Sequence, residues 1–235
     1  MISIIIPTLN EAELLPALLA DLAGEAAAAE VIVVDGGSSD DTAEIARRAG
    51  ARLLRTAAGR GRQLAAGARA SQGEVLLFLH ADSRFPAGGL QRIAASLAAA
   101  PRAPGGNFRL VFDGGEGFGR WLTGFYAWIR RHGFCYGDSG IFVRRAVYES
   151  LGGIQPFPLM EDYSLVRRLE RAGPTVCIED PPLVTSARRF QGRHPVAIVA
   201  GWLWIHLLYH LGIVPERLAR RYYRGGAHRA SWGPR

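Results

Sequence analysis

Lysine is absent from this chain, and its 28 residues of the Lys and Arg types are therefore all arginine. Schiff-base enzymes, pyridoxal-phosphate enzymes and P-loop NTPases need a lysine amine, and the sequence excludes all three classes. Cysteine is nearly absent, with Cys135 and Cys177 as its only occurrences. Two cysteines cannot supply a cysteine-rich zinc site or a disulfide framework, so we expect two reduced thiols in a cytosolic protein without redox function.

Two further patterns are missing at the start of the chain. No Gly-x-Gly-x-x-Gly sequence follows the first apolar run, Ile2–Ile6, which argues against a dinucleotide-dependent oxidoreductase. No signal peptide precedes that run, and we therefore expect a cytoplasmic protein. The segment 196–214 is mostly apolar but contains His206 and His210 at helical spacing. We expect it to form a buried, interfacial or dimer-forming helix rather than a membrane span.

The length and net charge of the chain limit its domain number and its binding partners. A chain of 235 residues is long enough for one α/β domain with a substantial core. A net charge of +7 points to nucleic acid, anionic lipid or a phosphorylated substrate, but no aromatic-basic nucleic-acid module is recognisable, so we expect no nucleic-acid partner. Arginines cluster near the end of the sequence, at Arg217, Arg220, Arg221, Arg224, Arg229 and Arg235. This cluster forms either a solvated tail or a lipid-facing surface.

Apolar runs alternate with helical patterns in the first part of the chain. The predicted strands are Ile2–Ile6, Val31–Val34, Arg52–Arg55 and Glu74–Leu79. The predicted helices between them are Glu11–Leu22, Asp40–Ala49 and Arg62–Ser71. This alternation predicts right-handed crossovers and a parallel sheet.

The pattern changes beyond Pro101. Here we predict strands at Asn107–Phe112 and Ser139–Val143 and a glycine-rich loop at Gly114–Gly119. We also predict helices at Trp121–Arg131, Arg145–Leu151 and Glu161–Ala172. A second half of this kind usually supplies the pocket of a second substrate. No linker or internal repeat divides the chain, so we expect a single domain.

Polar side chains follow the second predicted strand. Asp35 ends it, and Gly36 and Gly37 come next. Glycines there allow a planar ligand to approach the backbone, and the carboxylate can accept hydrogen bonds from a nucleobase imide or from ribose hydroxyls. The sequence Asp-Gly-Gly-Ser is also typical of a plain turn. Asn10-Glu11, after the first strand, can likewise be a ligand-binding segment or a turn.

Carboxylates also stand at two later places. Asp82 follows a buried strand, where one carboxylate and substrate phosphates can hold a hard divalent cation, and His80 is either a second ligand or a polar strand end. Glu161 and Asp162 stand where a helix begins, so the positive helix end favours their ionised forms. One of them can serve as a general base, or the two form a plain helix cap.

In this order, these segments resemble the inverting family 2 glycosyltransferases with the GT-A fold, from Ile2 to about Arg189. Within that family the chain is most similar to the small bacterial glycosyltransferases associated with radical-SAM and selenodomain genes. The resemblance rests on Pro7-Thr8-Leu9-Asn10-Glu11, Val34 to Thr42, Gly61 to Leu64, Leu79 to Asp82, Gly137-Asp138, Gly152-Gly153, Met160-Glu161-Asp162 and Ser186 to Phe190.

The resemblance implies a Rossmann-like, mostly parallel sheet flanked by helices. It implies a nucleotide-sugar-binding half over about residues 1–100, an acceptor and catalytic half over about 101–190, and a helical extension over about 191–235. The donor site would include Pro7, Thr8, Asn10, Glu11, Asp35 on a uracil base, Gly36, Ser38, Arg62, Gln63 and Asp82. Phosphate or acceptor contacts would come from Asp138, Arg188 and Arg189.

The resemblance also implies the chemistry. Asp162 matches the catalytic base, Glu161 is its partner, and Asp82 matches the last acid of the family's Asp-x-Asp motif for Mg²⁺ or Mn²⁺. The first acid of that motif is His80 here, so metal binding would rest chiefly on Asp82 and the donor phosphates. The Gln-x-x-Arg-Trp motif of processive members is absent, so we expect transfer of a single sugar, with inversion, from a donor that is most simply a UDP-sugar.

The acceptor stays open, as either a small molecule or a lipid-linked one. An aromatic stripe contains Trp121, Phe125, Tyr126 and Trp128, and it forms either an acceptor wall or part of the core. Together with Trp202, Trp204 and the terminal arginines, this stripe is compatible with peripheral contact at the inner face of a membrane. It is also compatible with a homodimer. A non-catalytic nucleotide-sugar-binding module and a nucleotidyltransferase are the alternative functions.

Overall fold

The computed structural model describes residues 1–25, 29–113, 117–131, 137–188 and 194–224. Within these ranges, eight strands form one sheet in the order β3-β2-β1-β4-β7-β6-β8-β5. The strands are β1 (Ile2–Thr8), β2 (Ala29–Asp35), β3 (Arg52–Arg55), β4 (Val75–Phe78), β5 (Ser83–Arg84), β6 (Gly105–Phe112), β7 (Ile141–Arg144) and β8 (Val176–Thr185). The helices are α1 (Leu15–Ala23), α2 (Thr42–Arg48), α3 (Arg60–Ala70), α4 (Gly89–Ala99), α5 (Phe118–Arg131), α6 (Arg145–Ser150), α7 (Glu161–Ala172), α8 (Pro195–His210) and α9 (Pro215–Arg224).

The parallel half of the sheet confirms the predicted alternation. β1 pairs in parallel with β2 and β4, and β2 pairs in parallel with β3. Ile4, Ile5 and Ile6 are fully buried, because helices cover both faces of this part of the sheet. Ile4 and Ile6 pack into one apolar cluster and Ile5 into another, as the alternation of side chains along a strand requires.

β7 makes the sheet mixed. It runs antiparallel to β4 and β6, while β8 runs parallel to β6. The carboxyl ends of β1, β2, β4, β6 and β8 therefore lie along one edge of the sheet, and the amino end of β7 lies there too. We call this the carboxyl edge. It brings a short 3₁₀ helix before β7, Gly137–Ser139, close to the residues that follow β4.

The helices form a layer on each face. Residues of α1, α4 and α5 pack on one side, including Leu18, Ile93 and Leu122. Residues of α3, α6 and α7 pack on the other. Gly67 allows the close approach of α3, because a Cβ atom there would lie only 2.5 Å from Cγ2 of Ile5.

Several bounds differ from the sequence prediction. α1 begins at Leu15 rather than Glu11, because Glu11–Leu14 forms a turn and Pro16 occupies the first turn of the helix, where its missing N–H is tolerated. α3 begins at Arg60 instead of Arg62. The predicted glycine-rich loop is shorter, since α5 already begins at Phe118, and residues 114–116 lie outside the described ranges.

The sequence did not predict α4, β5 or β8. β5 has two residues, too few for a pattern. β8 contains Pro181 and Pro182, which are typical of strand ends rather than strand interiors. α8 is confirmed as a partly buried helix, and it ends at His210, before the end of the predicted segment 196–214. Across the described part of the chain, no helix has the length and apolar content needed to cross a membrane.

Candidate active site

Gln63 holds the ends of β1 and β2 together at the carboxyl edge. Its side-chain amide donates to the carbonyl oxygens of Thr8 at 2.8 Å and Val34 at 2.6 Å. The side chain is fully buried. Both amide hydrogens of Gln63 are therefore used on the backbone, where they position the two strand ends, and its contact with a nucleotide stays a prediction.

Asp35 fixes the turn that follows β2. Its carboxylate is buried and accepts hydrogen bonds from the N–H of Gly37 at 3.3 Å and from the N–H and hydroxyl of Ser38 at 3.1 and 2.5 Å. The turn interpretation of Asp35 thus applies, and its contact with a base stays a prediction. A Cβ atom at Gly36 would lie 3.1 Å from Oε1 of Gln63, and the approach of a ligand to the backbone of Gly36 stays a prediction. Gly37 faces open space instead.

The loops after β1 and β2 are bound to each other. The N–H of Asn10 donates to Oγ of Ser38 at 2.9 Å, and Oδ1 of Asn10 accepts from the N–H of Ser39 at 2.8 Å. The N–H of Glu11 donates to Oγ1 of Thr42 at 2.8 Å. Asn10 has a φ of 55°, in the left-handed region that asparagine tolerates best among residues with a side chain. Hydrogen bonds therefore hold together the two loops that carry these predicted donor residues.

Arg188 joins the two carboxylates of the donor half. Its Nη2 lies 2.5 Å from Oε2 of Glu11, and its Nε lies 3.9 Å from Oδ2 of Asp82. Burial raises the pKa of Glu11 above its ordinary value, although Arg188 acts against this. The structure thus brings together the predicted residues Glu11, Asp82 and Arg188. The predicted Arg189 lies outside the described residues.

Asp82 is the residue here that can hold a divalent cation. The described ranges contain no group of three or more His, Cys, Asp or Glu side chains placed to hold a metal. Mg²⁺ commonly needs only one or two carboxylates, because water and substrate phosphates complete its shell. Asp82 is partly exposed at the carboxyl edge and has Glu11 nearby, so this donor set fits an ion shared with a diphosphate.

The second cluster is built around the start of α7, which begins at Glu161 as predicted. Arg60 donates from Nε to Oε1 of Glu161, and its Nη2 lies 3.2 Å from Oδ2 of Asp162. The N–H of Gly137 donates to the same Oδ2 at 2.8 Å. Glu161 and Asp162 are both buried. Two distant parts of the chain, Arg60 of α3 and Gly137 before β7, therefore fix the position of the Asp162 carboxylate.

The two neighbouring carboxyls differ in their titration. Burial would raise the pKa of Asp162, but the charge of Arg60 and the N–H groups of Gly137 and Tyr163 lower it below its ordinary value, with a further contribution from His80. Burial raises the pKa of Glu161; Arg60 opposes this and the Asp162 charge adds to it. These contacts therefore favour the ionised form of Asp162, the form that a general base needs.

Arg60 is a site residue that sequence reasoning missed. The sequence shows Arg60 and Arg62 two positions apart, and nothing local distinguishes them. In the structure Arg62 is exposed on the first turn of α3, where it can meet a ligand from solvent, whereas Arg60 faces the buried pair. The predicted residues Pro7 and Thr8 are buried at the end of β1.

Asp138 and the aromatic stripe also meet at this site. The hydroxyl of Tyr126 donates to Oδ2 of Asp138 at 3.2 Å, and both residues are buried. Tyr126 therefore belongs to the core, as one of the two interpretations of the stripe proposed. Trp121 and Trp128 are exposed instead. Asp138 lies beside Gly137, the residue that bonds Asp162.

Solved structures share this fold at low sequence identity. Staphylococcus aureus TarS 1-349 in complex with UDP-GlcNAc matches with a TM-score of 0.65 and 19% identity, over 82% of this chain and 60% of that one. Glucosyl-3-phosphoglycerate synthase from Mycobacterium tuberculosis, in complex with Mn²⁺, UDP-glucose and phosphoglyceric acid, matches with a TM-score of 0.62 and 19% identity, over 91% and 80% of the two chains. The fold is that of the GT-A glycosyltransferases.

Sequence comparison then gives the family. The Glycosyl transferase family 2 model matches residues 3–149, which is more than half of the chain. This chain belongs to glycosyl transferase family 2. An uncharacterized glycosyltransferase of Mycobacterium tuberculosis is 36% identical over 97 residues, or 41% of this chain and 43% of that relative. The match thus spans less than half the length of that relative, and the narrower resemblance to radical-SAM-associated members stays a prediction.

The family match ends before the second cluster. Residues 3–149 include Asp35, Asp82 and Gly137, but not Glu161 or Asp162. The assignment of the base therefore depends on the geometry around Asp162, and not on the family match.

Proposed function

We propose that this chain transfers a single sugar from a nucleotide-sugar donor, a UDP-sugar, to an acceptor, with inversion at the anomeric carbon. The observation that carries the proposal is the buried Asp162 carboxylate, which Arg60 and the Gly137 N–H keep ionised and oriented. Further support comes from two structures of the same fold, TarS in complex with UDP-GlcNAc and the synthase in complex with UDP-glucose and Mn²⁺.

The donor would lie along the carboxyl edge. Asp35, in the turn after β2, would accept from the uracil or ribose, and Asn10 and Ser38 would border the same position. Arg62 would contact the phosphates from the first turn of α3, where its side chain is exposed. Asp82, with Glu11 nearby, would hold Mg²⁺ or Mn²⁺, which when bound supplies positive charge to the oxygens of the departing diphosphate.

The reaction is a single in-line displacement. Asp162 accepts the proton of the acceptor nucleophile as the nucleophile forms its bond to the anomeric carbon. The bond from that carbon to the diphosphate oxygen breaks on the opposite side, so the configuration inverts. The guanidinium of Arg188, which faces Glu11 and Asp82, is placed to stabilise the negative charge of the leaving group.

The test is donor turnover by the purified chain, measured as nucleoside diphosphate release from UDP- and GDP-sugars with Mg²⁺ or Mn²⁺ and an acceptor panel. Asp162→Asn should lower the rate by about 100-fold to 10,000-fold, the usual contribution of a general base. Asp41→Asn is the matched control, because Asp41 is exposed and makes no side-chain cap bond. An Asp162→Asn protein with wild-type turnover would remove Asp162 from this role.

The same assay separates the alternatives. Release of pyrophosphate from a nucleoside triphosphate would identify a nucleotidyltransferase. Donor-induced stabilisation without transfer or hydrolysis on every acceptor would identify a nucleotide-sugar-binding module. The cytoplasmic location stays a prediction and needs fractionation of cells that express the chain.

A further inference from the structure

We propose that the outer face of α8, together with the arginines of α9, docks on an anionic membrane surface. The face consists of apolar residues that are about half exposed or more: Val196, Leu203, Trp204 and Leu207 on α8, and Leu211 and Val214 in the turn that follows it. The opposite side of α8 is buried through Ile198, Ile205 and Leu208. A contiguous apolar face of this kind on a folded protein marks an interaction site.

α5 is a neighbour of α8 and also exposes aromatic side chains. Trp202 of α8 stacks on Phe125 of α5, with ring centroids 5.8 Å apart, so the two helices are neighbours. α5 exposes Trp128 and Trp121. With Trp204, three exposed tryptophans therefore lie on two adjacent helices. Tryptophan favours the interface between lipid headgroups and acyl chains, because its ring is largely apolar and its N–H is polar.

The charge next to the face favours lipid as the occupant. α9 buries Leu218 and Ala219 and exposes Arg217 and Arg220. From residue 194 to the end, the sequence contains six arginines and a single acidic residue, Glu216. An apolar face beside a basic helix is typical of segments that lie in the interface of an anionic membrane.

The same charge argues against a second copy as the occupant. A twofold interface brings the same surface patch of both copies together. The arginines of both α9 helices would then border one interface, with Glu216 as the only acidic residue among residues 194–235 of each copy to offset them. An anionic bilayer supplies the opposite charge over the whole basic surface.

Docking would also place the active site close to the bilayer. Tyr163, next to Asp162, packs against α8, where its hydroxyl lies 3.1 Å from Nε2 of His210 and its ring meets that of His206 edge to face. α8 is therefore attached to the start of α7, where the base lies. This position suits a lipid-linked acceptor, a step that rests on the proposed function, whereas the docking does not.

The test is co-sedimentation of the full chain with vesicles, without donor or metal. Vesicles of phosphatidylcholine with 30 mol% phosphatidylglycerol, about a third of the lipid, provide a negative surface of the kind that attracts basic segments, and pure phosphatidylcholine is the comparison. We expect at least about tenfold tighter binding to the anionic vesicles, weakened by salt because exposed charges are screened. Leu203→Glu with Leu207→Glu should abolish binding, and Arg217→Gln with Arg220→Gln should weaken it about tenfold or more.

Matched controls use exposed positions far from α8. Ala95→Glu adds an acidic residue on the exposed side of α4, and Arg48→Gln with Arg92→Gln removes two exposed charges. These variants should bind like the wild type, and thermal unfolding checks that every variant is folded. Absence of binding to anionic vesicles, or equal binding to both vesicle types, would overturn the proposal. A dimer in sedimentation velocity that Leu203→Glu with Leu207→Glu dissociates, without vesicle binding, would assign the face to a second copy.

Discussion

Arg188 donates a hydrogen bond from Nη2 to Oε2 of Glu11 over 2.5 Å, although the two residues are 177 positions apart in the sequence. The contact joins the segment after β8 to the loop after β1. Asp82 faces the same guanidinium at 3.9 Å. A protein cation therefore lies between the carboxylates that would serve a divalent ion, so the two positive charges compete for this position.

Replacing Arg188 should strengthen metal binding. In Arg188→Gln, the carboxylates of Glu11 and Asp82 lose a facing positive charge. The Kd for Mn²⁺ should therefore fall about threefold to tenfold, a gain of about 1 kcal/mol in binding free energy. Titration calorimetry without donor measures this Kd. Turnover should fall at the same time, because the leaving diphosphate loses a positive charge. Arg92→Gln, at an exposed position on α4, is the control. An unchanged or weaker Mn²⁺ affinity contradicts the competition.

Replacing Arg60 should change the pH dependence of transfer. The pKa of Asp162 is lowered in the folded protein, so activity is present above this pKa and is lost as the pH falls through it. Arg60→Met removes the lowering charge, and the acidic limb of kcat/KM should move to higher pH. Arg62→Met should alter KM for the donor and leave the limb in place. A limb at the same pH in both variants would show that Asp162 does not set it.

Replacing Gln63 should destabilise the fold. Gln63→Leu removes both amide donors from the carbonyl oxygens of Thr8 and Val34. The free energy of unfolding should fall by about 2 kcal/mol, since buried carbonyl groups lose hydrogen bonds. Denaturant unfolding measures this, and Gln91→Leu at an exposed position of α4 should cost much less. Equal stability of the two variants would contradict the positioning role of Gln63.

Replacing Gly137 should displace the carboxylate of Asp162, the proposed base. A Cβ atom at this position would lie 2.7 Å from Oδ2 of Asp162, closer than real contacts allow. Gly137→Ala should therefore lower kcat by up to about 100-fold through misplacement of the carboxylate. Gly124→Ala is the matched control, because no atom lies within 4 Å of a Cβ atom there and alanine favours the helix. Similar rates for both variants would show that the base tolerates the shift.

The sequence predicted those parts whose signal is local. The start of α7 at Glu161 and the strand Arg52–Arg55 were predicted at their observed positions, and β1 and β2 within about two residues of each end. Apolar runs and helix-start residues report on their own segment, and this is why they suffice. α4 and β8 were missed because the first has few large apolar residues and the second contains prolines within a paired strand.

The site was predicted less completely, for a physical reason. Arg60 and Glu161 are 101 positions apart, and their contact exists only because α3 and α7 cover the same face of the sheet. Gln63 was predicted to contact a ligand, yet its burial depends on how α3 lies over two strand ends. Sequence position indicates which residues are polar and near the site, but tertiary packing decides which of them point into it.

Hydrogen bonds of Asn10, Ser38 and Thr42 hold the loops after β1 and β2 together. Their conformational entropy is therefore lost when the chain folds, and a nucleotide that arrives has little ordering left to impose. For the proposed donor, the carboxyl edge would be a preorganised site whose affinity reflects contacts rather than loop closure. Its donor preference should then change through exchange of side chains at this edge, and not through alternative shapes of the loops.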